Sequence, residues 1–372
     1  MRKMIAAIGI DVHKKTSSAY AVYAGKGTEK EKHRTFLDSF NKEFGEFPST
    51  PEMYNEIMRF ARGHEYHILL ENSTKSHEVY WIFKNGGANV TVAHSTDLYR
   101  ITKSVKKTDR NDSVELAGYM RRRLHGENEF SESYIPSPEW MLRREMCRGI
   151  FAEKEYLADT KRRMRAHILL HGIRLTREYD DITVRNALIE MNRISDPYLR
   201  MLVKFATDAM NRVSMGEKTI AQMFFGNKMC ELIDSIVGFG TTSAAYMTSL
   251  IVDIDRFSSS KEFTASFGVV PKMRSSGESD PNCPTTHRGD DLMRKRLMDC
   301  TRSHVRFAKD SVVTAMYHRL VNNGKPKREA LVAASRKLLT VVWSVLKSGI
   351  PYSSDPDALK GAKEMEEGSA EN

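Results

Sequence analysis

The sequence predicts an α/β domain over about the first 130 residues, followed by a mostly helical chain to about residue 352. Three observations support this. Short apolar runs bounded by polar residues recur before residue 100, as in buried strands. Segments with helical spacing of apolar residues separate those runs, which is typical of α/β domains. Beyond residue 138, long charged segments composed of helix-forming residues alternate with glycine- or proline-bearing breaks.

The first predicted strand is residues 7–11, an apolar run that ends on Asp11. Residues 16–23 alternate well enough for a second strand, and residues 30–40 are interpreted as a third. Residues 66–71 repeat the opening pattern, since an apolar run again ends on a carboxylate, Glu71. A short strand at residues 89–93 follows. Two of these strands therefore end on an acid.

Helices are predicted between and after the strands. Pro51 and Glu52 follow a hydroxyl residue and mark one helix start, and residues 76–84 form another helix before two glycines. A third helix begins near Asp109, and residues 126–138 are predicted to be a linker. From residue 139 to 170 the chain has no proline, and its apolar residues recur near the spacing of a coiled coil. That helix would be about 50 Å long.

The remaining segments are predicted to form a third domain. Residues 232–245 form a helix, a glycine-bearing turn and a second helix, which resembles a helix-hairpin-helix whose turn amides can reach a phosphate. A plain turn between two helices fits equally well. The predicted domains are residues 1–130, a helical coiled-coil region 131–228, a C-terminal domain 229–352 and a disordered acidic tail 353–372.

The charge balance points to a polyanionic partner. The net charge is +10, but the last eighteen residues hold six acids and two lysines, so the rest of the chain carries about +14. Basic residues decorate the helix at residues 139–170, which fits either a solvated face or a helix beside nucleic acid. Four widely spaced cysteines, no signal peptide and no apolar run near 20 residues predict a soluble cytosolic protein.

Four acids stand out because of where the predicted elements place them. Asp11 and Glu71 end strands, and Asp109 and Asp112 lie three residues apart at a helix start, so both can face one way. Crowded carboxylates repel one another, and their oxygens suit Mg²⁺ or Mn²⁺, which can clamp both reacting oxygens of a phosphodiester. The set is a candidate nuclease-type site. Taken singly, Asp11 also fits a turn, and Asp109 fits a helix cap.

These residues occur in an order that resembles the DEDD insertion-sequence transposases, the family that includes the pilin-gene invertase and the bridge-RNA-guided recombinases. The resemblance covers roughly residues 5–350. The residues that match are Asp11-Val12-x-Lys14, Glu71, Lys107-Thr108-Asp109-x-x-Asp112, and Gly268-x-x-Pro271 followed by Ser276-Gly277. Two positions depart from the family pattern. Lys75 stands where glycine usually follows threonine, and Ser113 stands where alanine usually follows the second helix acid.

The resemblance implies an RNase H-like (RuvC-like) N-terminal domain whose acids Asp11, Glu71, Asp109 and Asp112 bind Mg²⁺, with Mn²⁺ as an alternative. It also implies a C-terminal transposase domain with a nucleophilic serine, which by motif position is Ser276, with Ser275 as the alternative. The resemblance further implies that donor and target DNA are selected by a structured RNA. It implies a dimer or tetramer in the prokaryotic cytosol, associated with the nucleoid. The candidates for contacts with backbone phosphates are Lys106, Lys107, Arg110, Arg274 and Arg288.

Three other functions remain open on the sequence. The first is a metal-dependent junction-resolving nuclease that uses water and in which Ser276 is structural. The second is a non-catalytic nucleic-acid-binding relative, which would require none of the four acids. The third is a basic multidomain scaffold.

Overall fold

The computed structural model describes residues 5–25, 33–98, 109–269 and 289–353. Within these ranges the chain forms five strands and thirteen α-helices. It divides into two compact units between Ser137 and Pro138, and all five strands belong to the first unit. The mixed α/β start and the helical remainder confirm the predicted fold class at this level. The finer domain boundaries at residues 130, 228 and 352 stay predictions.

One mixed sheet organises the first unit. Its strands lie in the order β3-β2-β1-β4-β5, and β1 is central. β2 is antiparallel to both β1 and β3, whereas β4 is parallel to β1 and β5 is parallel to β4. The strand bounds are β1 (Ile5–Val12), β2 (Thr16–Tyr23), β3 (Phe47–Pro48), β4 (Glu65–Glu71) and β5 (Asn89–Ala93).

The prediction of a strand at residues 30–40 is wrong, because the described part of that segment begins helix α1 (Arg34–Glu43). Leu37, Phe40 and Phe44 follow one another at three- and four-residue spacing, and all three are buried. That is the spacing of one helix face. The third strand of the sheet is instead Phe47–Pro48, which is only two residues long.

Helix α1 also covers the outer edge of β2, where β3 is too short to reach. The Ala19 amide donates to the Phe44 carbonyl at 2.8 Å. The Asn41 side chain accepts from the Ala21 amide at 2.7 Å and donates to the Ala21 carbonyl at 3.1 Å. These bonds satisfy backbone groups that an open edge strand would offer to another chain.

The other helices of the first unit are α2 (Pro51–Phe60), α3 (Ser76–Asn85) and α4 (Asp109–Leu124). Apolar residues of α1, α2 and α3 form one cluster with Ile8 and Ile10 of β1. Residues of α4 form a different cluster with Ala7 of β1 and Leu69 of β4. Because side chains alternate along a strand, α4 lies on the opposite face of the sheet from the other three helices.

The second unit is built from nine described helices. The helix predicted at residues 139–170 and the two helices predicted within residues 232–245 are confirmed. The helices are α5 (Pro138–Leu170), α6 (Arg185–Arg193), α7 (Pro197–Met223), α8 (Lys228–Asp234), α9 (Thr241–Ile251), α10 (Ser260–Ser266), α11 (Asp291–Phe307), α12 (Val312–Asn322) and α13 (Lys327–Ser348).

The 33-residue helix α5 packs along α7 of the same chain. Ile150 and Met164, two members of the predicted coiled-coil stripe, are buried there, whereas Leu142 is 54% exposed. Gly216 of α7 permits the close approach, because an added Cβ would lie 1.7 Å from the Ile150 Cδ1 atom. Part of the stripe therefore packs within the chain, and a coiled coil between copies stays a prediction.

The thiols of Cys147, Cys230 and Cys300 are buried in the second unit. Burial raises the pKa of Cys147 to about 12, and it raises the pKa of Cys230 and of Cys300 to about 11. The thiolate is the reactive form. We therefore expect these thiols at pH 8 to react with a thiol reagent at least ~100-fold more slowly in the native chain than in urea. Mass spectrometry of the labelled peptides would measure this, and fast native labelling of all three would contradict the described burial.

No helix in the described ranges combines the length and the apolar composition that crossing a membrane requires.

Candidate active site

The face of the sheet covered by α4 is where the predicted acids lie. Odd-numbered residues of β1 and β4 point to this face, as Ala7 and Leu69 show by packing with α4. Asp11 and Glu71 continue the same alternation, so their side chains leave the sheet on the α4 side.

The register of the strands makes these two acids neighbours. β1 and β4 are parallel, and Ile10 of β1 pairs with Leu70 of β4. Asp11 and Glu71 are the next residues along the two strands, and Glu71 is the last residue of β4. Both acids therefore lie at the same end of the sheet.

A glycine brings the start of α4 to the same place. A Cβ added at Gly9 would lie 2.2 Å from both the Ser113 carbonyl oxygen and the Ala117 amide nitrogen, so the helix backbone rests directly on β1. Gly9 precedes Asp11 by two residues on the same face of the strand. Asp112, next to Ser113, therefore lies near Asp11, and the helix begins one turn earlier at the backbone of Asp109.

The surroundings of the acids are mostly closed to water. Asp11 and Asp112 are each only 7% exposed. Ser18 of β2 pairs directly with Asp11 and is 1% exposed. The His13 Nε2 atom lies 3.0 Å from the Asp11 Oδ2 atom, and the His13 side chain is half-exposed. Ser18 and His13 could not be predicted as site residues, because only strand pairing and the turn after β1 place them here.

The acids at this end of the sheet are candidate ligands for a divalent cation. In the residues whose side chains are described, no three His, Cys, Asp or Glu side chains lie close enough together to hold a metal ion. The side chain of Asp109, the fourth predicted ligand, lies outside the described part. The oxygen chemistry of the acids fits Mg²⁺ or Mn²⁺, and two partly buried carboxylates near one another favour a bound cation.

Both departures from the family pattern are accommodated locally. Ser113 is fully buried, and its Oγ donates to the Arg110 carbonyl at 2.9 Å, so its hydroxyl is satisfied within the first turns of α4. After Glu71, the Ser73 amide donates to the Ser76 Oγ at 2.9 Å, and the Ser76 amide donates to the Ser73 Oγ at 3.2 Å. These reciprocal bonds fix the turn without a glycine.

Of the predicted phosphate contacts, only Arg110 lies in the described part, where it is exposed in the first turn of α4. It lines a cavity of about 960 Å³ on the first unit together with Ser18, Tyr20 and Lys42. The other four predicted contacts lie outside the described residues: Lys106, Lys107, Arg274 and Arg288.

Ser276 and Ser275 also lie outside the described residues, in the segment 270–288. The described residues on either side of that segment touch. A Cβ added at Gly289 would lie 2.3 Å from the Ser266 carbonyl oxygen, and the φ of Gly289 is +95°, a conformation that favours glycine. The chain therefore returns at residue 289 to the place that it left after α10.

Asp290 anchors the chain at that point of return. Its carboxylate accepts from the Tyr246 hydroxyl at 2.7 Å and from the Met293 amide at 2.7 Å, and it pairs with the Arg148 guanidinium. The Arg148 Nε atom in turn donates to the Tyr246 hydroxyl oxygen at 2.9 Å. Three side chains from α5, α9 and the start of α11 thus form a closed network. The spacing of residues along the chain does not predict this network.

Removing the shared hydroxyl of this network should destabilise the second unit. Tyr246→Phe leaves the Arg148 Nε donor without its acceptor and removes one of the two hydrogen bonds to the Asp290 Oδ1 atom, at a cost of about 1–2 kcal/mol in the free energy of unfolding. Because Arg148 is half-exposed, water relieves part of the loss. Urea unfolding measures the change, with Tyr317→Phe as the matched control. Equal stability of Tyr246→Phe and the wild type would show that the network contributes nothing.

The predicted basic helix α5 is largely neutralised within the chain. Arg143 pairs with Glu139, Lys154 pairs with Glu217, and Arg144 donates to a backbone carbonyl. Arg148 pairs with Asp290, Arg162 with Glu155 and Arg163 with Asp159, and Arg165 donates to the Asp180 backbone carbonyl. Ion pairs and hydrogen bonds to backbone carbonyls therefore account for these charges, and they give no support to a nucleic-acid contact along α5.

The predicted helix–turn–helix at residues 232–245 is present as α8, a short turn and α9. Gly238 in the turn has a φ of +102°, and an added Cβ would lie 2.5 Å from the Cys300 carbonyl oxygen of α11. A cavity of about 500 Å³ lies at the start of α9 and is lined by Lys154, Lys218 and Thr242 among others. Whether the turn amides contact a phosphate stays a prediction.

Comparisons with known proteins match both units of the chain. A family model described as the IS116/IS110/IS902 transposase family matches residues 230–318. The chain is 24% identical over 151 residues to the transposase for insertion sequence element IS1111A of Coxiella burnetii, covering 40% of this chain and 42% of that protein. It is 26% identical over 198 residues to the transposase for insertion sequence element IS1328 of Yersinia enterocolitica, covering 51% of this chain and 58% of that protein.

A longer match covers nearly all of the chain. The pilin gene-inverting protein of Moraxella bovis is 20% identical over 358 residues, which is 93% of this chain and 97% of that protein. The matches to the two insertion-sequence proteins span about half the length of those relatives.

Proposed function

Because the chain is related to the insertion-sequence transposases of the IS116/IS110/IS902 family, we propose that it is a DNA recombinase that cuts and rejoins donor and target strands. The relationship confirms the resemblance predicted from the sequence. The observation that supports catalysis most is that Asp11, Glu71 and the first turn of α4, which carries Asp109 and Asp112, all lie at one end of the sheet. Binding of nucleic acid alone would require none of these acids.

The first unit is proposed to be an RNase H-like, RuvC-like domain. The support is the strand order β3-β2-β1-β4-β5, with an antiparallel β1–β2 pair and parallel β4 and β5. The first acid lies on the central strand, and the helix that holds two more acids packs across that strand.

Asp11, Glu71, Asp109 and Asp112 are proposed to hold Mg²⁺, and Mn²⁺ also suits their oxygens. A bound cation would polarise the scissile phosphate. The residues around the proposed cation site would each have a different role. The carboxylates hold that charge at one end of the sheet, His13 orients Asp11 through the 3.0 Å contact, and Ser18 closes the β2 side.

The proposed nucleophile is Ser276, with Ser275 as the alternative. Its oxygen would attack the phosphorus of a DNA phosphodiester while its proton is removed, and the bond from phosphorus to one sugar oxygen would break. The resulting phosphoserine ester conserves the phosphodiester bond energy. Attack by a hydroxyl of the exchanged strand would release the serine and complete the rejoining.

DNA, a structured RNA and further copies of the chain are the proposed partners. Lys106, Lys107, Arg110, Arg274 and Arg288 would contact backbone phosphates, which fits a chain whose body carries about +14. Selection of donor and target DNA by a structured RNA, and assembly as a dimer or tetramer in the cytosol near the nucleoid, rest on the resemblance. The sequence has no zinc finger or recognition-helix signature that would read bases itself, which is consistent with selection by RNA.

Recombination in cells between donor and target plasmids tests this function, with the RNA that flanks the element supplied. The wild type is compared with Asp11→Ala, Ser275→Ala and Ser276→Ala. We expect the wild type to recombine and both Asp11→Ala and Ser276→Ala to be inactive. Activity in Ser276→Ala but not in Ser275→Ala would move the nucleophile by one residue. Recombination that survives both serine changes would favour a nuclease that uses water.

A further inference from the structure

Three exposed apolar residues lie on segments that His304 joins near the turn between α8 and α9. They are Val237 in the turn, Phe307 at the end of α11 and Val312 at the start of α12, which are 37%, 65% and 59% exposed. We call them, together with the cations Arg306 and Lys309, the hairpin patch. Exposed apolar side chains in a group mark interaction sites more often than isolated ones do.

A buried histidine fixes this group in place. The His304 Nδ1 atom lies 2.6 Å from the Val237 carbonyl oxygen, and its Nε2 atom lies 2.8 Å from the Ser311 Oγ atom. The carbonyl can only accept, so Nδ1 carries the proton and Nε2 accepts from Ser311. Burial lowers the pKa of His304, which favours this neutral form. Phe307 follows His304 by three residues on α11, and Val312 directly follows Ser311, so the three exposed residues flank one buried, hydrogen-bonded histidine.

The charges beside the hairpin patch differ from those elsewhere on α11. Four cations of this helix have described acidic partners, in the pairs Arg294–Asp291, Lys295–Glu155, Arg296–Asp299 and Arg302–Asp299. In the part of the chain that the structure describes, no acid lies within ion-pair distance of Arg306 or Lys309. The Arg306 guanidinium instead lies 5.2 Å from the centroid of the Phe307 ring.

We propose that the hairpin patch binds a DNA strand through an unpaired base, with the base on the Phe307 ring and adjacent phosphates on Arg306 and Lys309. An exposed aromatic ring between uncompensated cations is the combination that single-stranded nucleic acid requires. A protein partner would need a larger apolar face than three side chains. The choice of DNA rests on the proposed function, since strand exchange exposes unpaired bases.

The full-length chain is tested with a dye-labelled single-stranded DNA of 20 nucleotides. We expect Phe307→Ala to raise the Kd about 10-fold, because a stacked base contributes that much to affinity. Phe225→Ala is the matched control, since Phe225 is 92% exposed on the same unit but lies away from the turn, and its Kd should be unchanged. Arg306→Ala with Lys309→Ala should reduce the dependence of log Kd on log salt by one to two, as expected when about two phosphate contacts are lost.

A second readout does not depend on affinity. Tryptophan fluorescence of Phe307→Trp should be quenched when the DNA binds, whereas that of Phe225→Trp should not change. Equal quenching at both sites, or an unchanged Kd for Phe307→Ala, would overturn the inference while leaving the proposed function standing. A wild type that binds no DNA at all would overturn the proposed function itself.

Two other outcomes would show that the hairpin patch binds a different partner. If an RNA of the same sequence binds more tightly than the DNA, and its affinity falls in Phe307→Ala, the partner of the patch is RNA and not DNA. Self-association of the wild type that Phe307→Ala abolishes, measured by analytical ultracentrifugation, would make the patch an interface between copies of the chain.

Discussion

Replacing Asp11 with asparagine is expected to lower the rate of DNA strand exchange by on the order of 10³-fold, with DNA affinity nearly unchanged. Asparagine keeps the size of the side chain and can still bond His13, but it removes one charge from the proposed cation site. Stabilisation of a scissile phosphate by bound metal supplies several kcal/mol, and each 1.36 kcal/mol corresponds to about tenfold in rate. A recombination assay with purified protein and labelled DNA would measure the loss.

A matched carboxylate separates this effect from a general loss of charge. Asp38 lies on α1 of the same unit with its side chain 71% exposed, and Asp38→Asn should leave the rate within about twofold. Asp11→Asn should also unfold at a temperature close to that of the wild type. Full activity in Asp11→Asn would remove Asp11 from the chemistry.

Replacing Gly9 with alanine is expected to have the largest effect on the fold of the first unit. The added Cβ would lie 2.2 Å from two backbone atoms of α4, and backbone cannot rotate away as a flexible side chain can. The helix must shift off β1, at a cost of about 3 kcal/mol, the upper end of the usual range for overpacking. Because the same helix carries Asp109 and Asp112, strand exchange should be lost as well.

The control for Gly9 lies on the helix itself. An added Cβ at Gly118 would meet only the far end of the Arg122 side chain, at 3.2 Å. Gly118→Ala should therefore stabilise the chain by about 0.5–1 kcal/mol, because alanine is the better helix former. Urea unfolding of both variants measures the contrast. A Gly9→Ala variant as stable as Gly118→Ala would show that α4 does not rest on β1 as described.

Much of the sheet could be predicted because its strands are short apolar runs with clear ends. The run that ends on Asp11 and the run that ends on Glu71 both became strands, and the parallel register then placed the two acids side by side. The strand predicted at residues 30–40 was wrong because the polar and apolar residues of this segment fit both the two-residue period of a strand and the 3.6-residue period of a helix. The burial of Leu37, Phe40 and Phe44 selected the helix.

Features that depend on contacts between distant parts of the chain could not be predicted from the spacing of residues along the sequence. Nothing local distinguishes Ser18, yet pairing with Asp11 places it in the site. The cations of α5 fitted a nucleic-acid face, but several pair with acids on the same helix, and others pair with acids on distant segments, as Lys154 does with Glu217. In the described part of the chain, no acid lies within ion-pair distance of Arg306 or Lys309 near the turn between α8 and α9, and the spacing of the sequence does not predict this either.

The central claim is that metal-bound acids and a serine form a covalent link to DNA, and trapping that link tests it most directly. A nicked DNA substrate, which lets one strand fragment diffuse away, is incubated with wild type and Asp11→Asn in Mg²⁺. The products are digested and sequenced by mass spectrometry. The account predicts a nucleotide on Ser276 in the wild type and none in Asp11→Asn. Cleavage that leaves free DNA ends and an unmodified serine would contradict it.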